Sequence, residues 1–362
     1  MVEAKRGSSG VQALVYYGRE DIRLEDFPEP AKLRGDEVRL RVKSAALCHT
    51  DFNEYMHGPL FISQKPHPRS GRSIPLVIGH EFSGEVLETG SDVRKVRRGD
   101  RIAVNAVDPC LKCAHCDRGN YELCRSAAYI GFDRDGGLAE SAVVPEHCCH
   151  LLASQISDEA GALVEPLAVG LHAAKRAGAI AGSRAAVIGG GAVGLCVLQS
   201  LRAMGVREVY VVEKCESKRR FAEELGATAF INLENLDPYN AIQELTSGAG
   251  VDTSFECVGA APAFHLAVEL TRGGGTVCVV GVYPGPFEVD LNRLMANELQ
   301  VITSRAYGDE FPAVIAMLAD GRLRAEPLIT QRLPLADAMQ KGLRQYEASA
   351  AMNVRTIIEV SS

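Results

Sequence analysis

The stretch RAAVIGGGAVGLCVLQSLRAMGVREVYVVE, residues 184–213, contains the pattern that decides the fold of this chain. A short apolar run leads into GGGAVG at 189–194, which fits G-x-G-x-x-G and opens a helix-like segment. In such a turn the first glycine allows the tight bend, the second lets a pyrophosphate approach the backbone, and the third permits close helix–strand packing. The helix that begins there offers free N–H groups to the phosphates. We therefore expect the dinucleotide-binding residues of the turn to be Gly189, Gly191, Ala192, Val193 and Gly194.

Glu213 ends the next apolar run, 19 residues beyond Gly194. A carboxylate at this place accepts hydrogen bonds from ribose hydroxyls and repels a 2′-phosphate, so it predicts NAD rather than NADP. Basic residues follow closely at 214 and 218–220. They could be recruited by a phosphate, or they could be solvated helix charges. An ordinary glycine turn with a surface glutamate is the alternative interpretation of the whole motif.

The surrounding sequence indicates how the chain is divided. From about residue 162, short apolar strands such as EVYVVE and TVCVVGV alternate with helix-like segments, which is typical of a doubly wound parallel sheet. Before it, segments such as EVRLRVKSAAL alternate apolar and charged residues, as half-buried strands do. The last fifty or so residues return to mixed character. We expect a β-rich domain over 1–165, an α/β domain over 166–308, and a return to the first domain over 309–362.

Composition excludes several classes of protein. The 362 residues are enough for about two domains, and 39 basic against 46 acidic residues leave a net charge of −7. That balance argues against a nucleic-acid or anionic-membrane partner. The chain has neither a signal-peptide core near residue 1 nor a membrane-length apolar run, so we expect a soluble, cytoplasmic protein. Eleven cysteines in that compartment suggest metal ligands rather than disulfides.

Four cysteines form a cluster with the spacing C-x2-C-x2-C-x7-C, within a lobe over 108–126. Four thiolates so close in sequence can surround one tetrahedral zinc ion, and a closed set of four leaves no position for a substrate. An iron–sulfur cluster, disulfides or unrelated thiols are the alternatives. We expect a structural zinc ion held by Cys110, Cys113, Cys116 and Cys124.

A second set of potential ligands is spread over three segments: CHTD at 48–51, GHE at 79–81, and Glu165 before a proline. Each segment alone would be unremarkable. Together they offer thiolate, imidazole and carboxylate, the mixture found in catalytic zinc sites that keep one coordination position open.

With these motifs in this order, the sequence resembles the zinc-dependent medium-chain alcohol dehydrogenase family over nearly its whole length. The segments GPLF…HP and GHEFSG between 58 and 84, with ALVEPLAVGLHA around 165, resemble its butanediol and polyol (sorbitol-like) dehydrogenase branch. The resemblance implies an α/β protein with a GroES-like, β-rich catalytic domain and a Rossmann domain. It also implies two zinc ions per chain, NAD, and a homodimer or homotetramer.

The function that the resemblance implies is hydride transfer between NAD and a secondary alcohol, namely a vicinal diol, a polyol or a cyclitol, giving a ketone. One alternative is a carbonyl reductase of a biosynthetic pathway that uses NAD(P)H. The other is a non-catalytic NAD or zinc sensor that kept the fold.

The resemblance also assigns roles at the metal site. The catalytic zinc would be held by Cys48, His80, Glu81 and Glu165, the two glutamates being acidic ligands or exchange partners. Thr50 would hydrogen-bond the alcohol oxygen and pass its proton outward. Asp51 would orient His80 through the other ring nitrogen.

Further cofactor-binding positions that the resemblance implies are His49, Lys218, Val258, Val282 and Arg355. His49 and Arg355 match positions that contact the pyrophosphate, and Lys218 matches one near the adenine ribose. A plain surface charge is the alternative for each of these three.

The chain departs from the family pattern at Asn53, where many members have a histidine that ends the proton relay. The relay from Thr50 would then run through ribose hydroxyls to water, or use Glu54, Tyr55 or His57. Substrate selectivity is expected from residues 55–75 and 303–311.

Overall fold

The computed structural model describes residues 10–29 and 32–361. They fall into two compact units. The first unit comprises the described residues up to Glu165 together with Gln331–Ser349 and the segment that starts at Arg355, and the second comprises Pro166–Thr330 and Ala350–Val354. Within the described ranges, every helix is too short or too polar to cross a membrane.

The amino-terminal part of the first unit is built mainly of strands. They are β1 (Gly10–Gly18), β2 (Asp21–Pro28), β3 (Glu37–Leu47), β4 (Leu76–Val77), β5 (Glu81–Thr89), β6 (Arg101–Val104), β7 (Val107–Asp108), β8 (Ala128–Tyr129), β9 (Ser141–Pro145) and β10 (Cys149–Leu151). Two helices accompany them, α1 (His49–His57) and α2 (Asp158–Ala162), with 3-10 turns at Cys116–Arg118, Tyr121–Leu123 and Glu146–Cys148. On β3, Val38, Leu40 and Val42 are fully buried, as the alternating pattern predicted.

The second unit alternates helices and strands. The helices are α3 (Val164–Arg176), which starts two residues before the unit, α4 (Ala192–Ala203), α5 (Arg219–Glu224), α6 (Pro238–Leu245), α7 (Ala261–Leu270), α8 (Leu291–Ala296) and α9 (Phe311–Ala319). The strands are β11 (Arg184–Ile188), β12 (Glu208–Glu213), β13 (Ala229–Asn232), β14 (Val251–Glu256), β15 (Thr271–Val279) and β16 (Gln300–Thr303), with 3-10 turns at Glu216–Lys218 and Glu326–Leu328.

The six strands of the second unit form one sheet in the order β13-β12-β11-β14-β15-β16, and every neighbouring pair is parallel. Strand order reverses between β11 and β14, and doubly wound sheets bind dinucleotides at the carboxyl ends of the strands beside such a reversal. The predicted Rossmann-type parallel sheet is confirmed.

The chain then re-enters the first unit through β17 (Ile329–Pro334), α10 (Tyr346–Ser349) and β18 (Arg355–Glu359), with a 3-10 turn at Leu335–Asp337 and a π-helical segment at Ala338–Leu343. The main sheet of that unit has the order β10-β6-β5-β3-β18-β17, with β9 also paired to β3. A separate antiparallel sheet has the order β2-β1-β4, and β7 pairs with β8.

The expected domain return at residue 309 differs from the structure, where the first unit resumes at Gln331. The physical reason is a buried contact: the Glu310 carboxylate lies 2.6 Å from Lys175 Nζ and 3.3 Å from His172 Nδ1, both on α3. Farther along, the backbone N–H of Arg324 donates to Gln199 Oε1 at 2.7 Å. These contacts attach residues 309–330 to the core of the second unit.

Strand register in the main sheet of the first unit determines where its polar side chains meet. Ala46 of β3 lies opposite Glu81 of β5, and Leu47 lies opposite Thr356 of β18. The end of β3 and the starts of β5 and β18 therefore lie at one end of the sheet. Cys48, His80 and Arg355 are placed together there although they are distant in sequence.

Candidate metal and cofactor sites

Helix α1 begins at the metal site. Cys48 is its N-cap, in an extended conformation, and Asp51 Oδ2 accepts the backbone N–H of Cys48 at 2.9 Å. Such a reciprocal cap satisfies N–H groups that the first helical turn leaves without partners. Thr50 Oγ1 lies 3.6 Å from Cys48 Sγ. One turn of helix thus fixes a thiol, a hydroxyl and a carboxylate relative to one another.

His80 precedes β5 and is 6% exposed. Its Nδ1 lies 3.4 Å from Asp51 Oδ1, and its Nε2 lies 3.9 Å from Glu81 Oε1. The Phe132 ring packs 4.8 Å from the imidazole centroid. The ligand atoms of Cys48, His80 and Glu81 all lie within 4.8 Å of one another, so the structure brings these three predicted ligands together.

The electrostatics of the cluster favour a thiolate. Burial alone would raise the pKa of Cys48, but the positive charge of Arg355 and then of His80 lowers that pKa to about 5. Burial opposes the imidazolium of His80, yet Asp51 and Cys48 raise its pKa well above the usual value. The negative charges of Asp51 and Cys48 therefore stabilise positive charge on the imidazole of His80.

Glu81 is fully buried and paired with a residue that the sequence analysis assigned elsewhere. Glu81 Oε1 lies 2.8 Å from Arg355 Nη2, while Glu81 Oε2 has no hydrogen-bond partner within the described part of the chain. Burial raises the pKa of Glu81 well above its usual range; Arg355 opposes this, and the charges of Cys48 and Glu165 add to it. Arg355 is 3% exposed, so the interpretation as a surface charge is wrong for this residue. No local sequence signal connects Glu81 to Arg355.

Two other expected site residues lie at the margin of this cluster. Glu165 lies on the first turn of α3 and is 8% exposed. Its negative charge raises the pKa of Glu81. It is not one of the three residues whose ligand atoms lie within 4.8 Å of one another. His49 is exposed on α1, and its ring lies 5.6 Å from the Tyr346 ring.

The donor set fits a zinc ion. A half-buried thiolate, a buried imidazole and a carboxylate oxygen without a partner in the described chain are the groups that a catalytic zinc ion coordinates. An ion between them would also compensate the negative charges that burial leaves close together.

The four-cysteine lobe has the geometry of a closed site. Its four Sγ atoms lie within 4.8 Å of one another, with 3.5 Å between Cys113 and Cys116 and 3.9 Å between Cys110 and Cys116. Sulfurs on a tetrahedral zinc ion lie about 3.8 Å apart. All eleven cysteines are free thiols, so the disulfide alternative is wrong. The backbone N–H of Cys116 lowers the pKa of Cys113 to about 7, whereas burial raises that of Cys116 to about 11.

A third group of metal-ligand types, which sequence reasoning missed, gathers around Asp108. Its buried carboxylate lies 2.8 Å from Arg69 Nη2, 3.1 Å from Arg134 Nε and 2.9 Å from His147 Nε2. Cys148 completes the group. Two guanidinium groups already balance the carboxylate, so this cluster is an ion-pair network that joins segments of the first unit.

In the second unit, the glycine-rich turn has the predicted tight geometry. Gly189 has a φ of 101°, in the region that favours glycine. A Cβ on Gly194 would lie 1.8 Å from the carbonyl oxygen of Gly189, whereas a Cβ on Gly191 would meet no atom within 4 Å. The turn is therefore closely packed at Gly194 and open at Gly191, where the helix α4 begins.

Glu213 is held in place by backbone donors. Its Oε2 accepts the N–H of Gly190 at 2.7 Å, and its Oε1 accepts the N–H groups of Lys214 and Cys215 at 2.8 and 2.9 Å. Lys218 is 4% exposed and its ammonium donates to the carbonyl oxygen of Asn353, so it is not a surface charge either. Burial lowers the pKa of Lys218.

Val258 and Val282 are 54% and 70% exposed, beyond the ends of β14 and β15. The carboxylate of Glu256, which sequence reasoning missed, connects these two loops. Its Oε1 accepts the N–H of Val258 at 2.7 Å, and its Oε2 accepts the hydroxyl of Tyr283 at 2.8 Å.

Known proteins that are similar to this chain identify its family. The family model described as alcohol dehydrogenase GroES-like domain matches residues 34–154, and the one described as zinc-binding dehydrogenase matches residues 192–320. (R,R)-Butanediol dehydrogenase of Bacillus subtilis is 35% identical over 334 residues, covering 92% of this chain and 95% of that protein. Sorbitol dehydrogenase of Bos taurus is 31% identical over 342 residues, covering 93% and 92%. The X-ray structure of 2R,3R-butanediol dehydrogenase from Bacillus subtilis superposes with a TM-score of 0.90 at 33% identity, covering 97% of this chain and 100% of that one.

The chain therefore belongs to the zinc-dependent medium-chain alcohol dehydrogenase family, with a GroES-like and a Rossmann-type domain. It is an oxidoreductase that acts on small-molecule alcohols and ketones. Within the family it lies in the butanediol and polyol dehydrogenase branch.

Proposed function

We propose that this protein interconverts a secondary alcohol of a small vicinal diol or polyol and the corresponding ketone, with NAD as the hydride acceptor. The observation that carries this proposal is the convergence of Cys48, His80 and Glu81 within 4.8 Å, beside the hydroxyl of Thr50. Relatives named butanediol and sorbitol dehydrogenase support the substrate class.

At the metal site, we assign Cys48, His80 and Glu81 as the residues that hold zinc, with Glu165 as the additional acidic ligand or exchange partner. Zinc held by these residues would supply Lewis-acid chemistry, polarising the alcohol oxygen and stabilising the charge that develops on it during oxidation. Thr50 accepts and passes on the hydroxyl proton, and Asp51 holds the imidazole of His80 in orientation. Arg355 balances the charge of Glu81.

For the coenzyme, we assign Glu213 to the adenosine ribose and the turn 189–194 to the pyrophosphate. The exposed side chains of Val258 and Val282, beyond the carboxyl ends of β14 and β15, would cover the nicotinamide end. A carboxylate already fixed by three N–H groups cannot move aside for a 2′-phosphate, which supports NAD over NADP.

We further propose a homodimer or homotetramer. Strand β16 is an edge of the parallel sheet, and Leu291, Met295 and Val301 near it are 71%, 70% and 41% exposed. The eleven cysteines form no disulfide in the described part of the chain, which is typical of a reducing compartment and supports a cytoplasmic location. Light scattering on the purified protein measures the subunit number.

The test of the metal site replaces its ligands one at a time. Cys48→Ala or His80→Ala should lower the zinc content from two ions per chain to one and reduce turnover of 2,3-butanediol by at least about 10³-fold. NAD binding, measured by calorimetry, should persist, because the glycine turn lies in the other unit. His265→Ala, an exposed histidine of the second unit, is the control. Normal turnover by either ligand variant would contradict the assignment.

A further inference from the structure

We propose that Glu54 is a positioning residue: its buried carboxylate holds Phe61 beside the metal site, and Phe61 makes the site favour alcohols with short apolar substituents over polyhydroxylated chains. This inference rests on the proposed function for its substrates. It adds a determinant of selectivity to the zinc-ligand set and to the turn that binds the coenzyme.

Glu54 lies on α1, the helix that starts at Cys48, and its side chain is completely buried. Both carboxylate oxygens lie 3.1 Å from the backbone N of Leu60, and Oε1 also accepts the N–H groups of Phe61 and, at 3.3 Å, of Ile62. A carboxylate that accepts three consecutive backbone N–H groups fixes the course of the segment 60–62.

The chain turns closely around this carboxylate. The N–H of Gly58 donates to the carbonyl oxygen of Glu54 at 2.9 Å. A Cβ on Gly58 would lie 2.3 Å from that oxygen and 2.7 Å from Glu54 Oε2. Side chains other than hydrogen are therefore excluded at residue 58, and the segment after α1 is bound to the helix at both its start and its middle.

The segment carries an aromatic side chain toward the metal ligands. The ring of Phe61 lies 5.9 Å from that of Phe132, and the ring of Phe132 lies 4.8 Å from that of His80. Phe61 remains 49% exposed, so one side of it is free to contact another molecule. Phe61 and Phe132 together form an apolar wall next to a proposed zinc ligand.

Such a wall discriminates between substituents on the alcohol. A methyl group gains by contact with aromatic carbon, whereas a hydroxyl placed there loses its hydrogen bonds to water without replacement. One group of this kind changes relative kcat/KM about tenfold or more. The wall thus favours 2,3-butanediol over sorbitol.

This role differs from that of a proton-relay end group, which the sequence left open for Glu54. A relay would require a carboxylate oxygen free to take up a proton, whereas the oxygens of Glu54 are directed to backbone donors. The positioning role and the relay role predict different kinetic changes. Loss of a proton relay lowers kcat for all alcohols and shifts the pH dependence of kcat.

The experiment compares Glu54→Gln, Phe61→Ala and the double variant in the zinc-loaded, full-length enzyme. The matched control is Glu37→Gln, because Glu37 is also buried, its Oε2 accepts the backbone N–H of Arg34 at 2.9 Å, and it lies at the opposite end of β3 from Cys48. The two readouts are amide hydrogen exchange of residues 58–62 and the ratio of kcat/KM for (R,R)-2,3-butanediol to that for sorbitol.

Glu54→Gln should speed exchange in residues 58–62 at least about tenfold and lower the substrate ratio by about tenfold, with two zinc ions retained. Phe61→Ala should lower the ratio as much without faster exchange at 62, and the double variant should show no further drop. Glu37→Gln should change neither readout.

Unchanged exchange in Glu54→Gln would overturn the positioning role. An unchanged ratio, or a drop that persists when Phe61 is already alanine, would overturn the route through Phe61. A shifted kcat–pH profile with equal losses for both alcohols would instead identify Glu54 as the relay end. If the wild-type enzyme oxidised neither alcohol, the proposed function and the selectivity would both fail, while the exchange data would still decide the positioning role.

Discussion

Arg355 shows how a single side chain sets the charge of a site built from distant segments. Asp51 and Glu81 place two buried carboxyl groups close to the half-buried thiol of Cys48. The guanidinium, 2.8 Å from Glu81, provides permanent positive charge there because it does not deprotonate. If zinc is held here by Cys48 and His80, the guanidinium would compensate the charge of Glu81 whether or not that carboxylate also holds the ion.

A prediction at this scale concerns coenzyme choice. Glu213→Ala removes the carboxylate that would bind the ribose hydroxyls and repel a 2′-phosphate, so the ratio of kcat/KM for NAD to that for NADP should fall about tenfold or more. The control is Glu208→Ala at the start of the same strand, where the carboxylate pairs with Arg184 instead. An unchanged ratio in Glu213→Ala would remove this residue from coenzyme selection. Steady-state kinetics with both coenzymes provide the measurement.

The sequence predicts the role of a single residue where its side chain is a metal-ligand type within a short motif. A cysteine, a histidine and a glutamate in short motifs suffice to single out Cys48, His80 and Glu81. The sequence did not predict that the buried carboxylates of Glu54 and Glu256 fix nearby loops. Both carboxylates accept backbone N–H groups, and almost every residue has such a group, so the sequence does not distinguish the partners. The pairing of Arg355 with Glu81 depends on strand register and could not be read from either segment alone.

In the six-residue turn between β11 and α4, one glycine is required for close packing and another for access of the coenzyme. Gly194 is the packing position and Gly191 is the proposed binding position. Gly194→Ala would force a Cβ to 1.8 Å from the Gly189 carbonyl oxygen and should destabilise the second unit by about 1–3 kcal/mol. Gly191→Ala has open space around the new Cβ, so it should change stability by less than about 0.5 kcal/mol.

The same pair of variants tests the cofactor site, because Gly191→Ala should still weaken NAD binding about tenfold by filling the path of the pyrophosphate. Urea unfolding and calorimetric titration with NAD measure the two effects. Full NAD affinity in a folded Gly191→Ala protein would contradict the assignment of this turn to the phosphates.

Elements with strong periodicity were predicted well, and short ones were not. The apolar runs that became β11 and β12, and the alternating run that became β3, have the pattern of their class along their whole length. Strand β4, only Leu76–Val77, lies near the end of residues 57–78, which contain four prolines and two glycines. Two residues are too few to show a period, and their pairing with β1 comes from the tertiary structure.

For the molecule as a whole, the sequence indicates two domains but not the residue at which the chain re-enters the first one. Helix α9 is apolar along its whole length, so its own sequence does not indicate which core it packs against. What assigns it to the second unit is the contact of Glu310 with His172 and Lys175, more than 130 residues earlier. Side-chain contacts over such a separation have no local signature.

The contact of Glu310 with His172 and Lys175 predicts how the stability of the second unit depends on pH in acid. Burial alone would raise the pKa of Glu310, but hydrogen bonds from His172 and then Lys175 lower it to about 2. A carboxyl group with a lowered folded-state pKa stabilises the fold above its ordinary pKa of 4.5, and that contribution is lost as pH falls from 4.5 toward 2.

Glu310→Gln should therefore destabilise the second unit by about 2 kcal/mol at pH 7, and the difference from wild type should shrink below pH 4.5. Urea unfolding followed by circular dichroism at pH 7, 4.5 and 3 measures this difference. Glu244→Gln, a substitution in the same unit on α6, is the control. A difference of equal size at pH 3 and pH 7 would show that the charge of Glu310 is not its source.

The position of β18 between β3 and β17 in the main sheet also has a consequence for synthesis. Residues 166–330 are translated as one uninterrupted stretch. Strand β3 is translated before this stretch, and its neighbour β18 is translated after it. Because domains tend to fold as units while the polypeptide emerges, most of the second unit, residues 166–330, can be folded while the first still lacks the strand that pairs with the end of β3. Arg355 is in that strand, so the nascent metal site acquires its permanent positive charge only after its proposed ligands have been made.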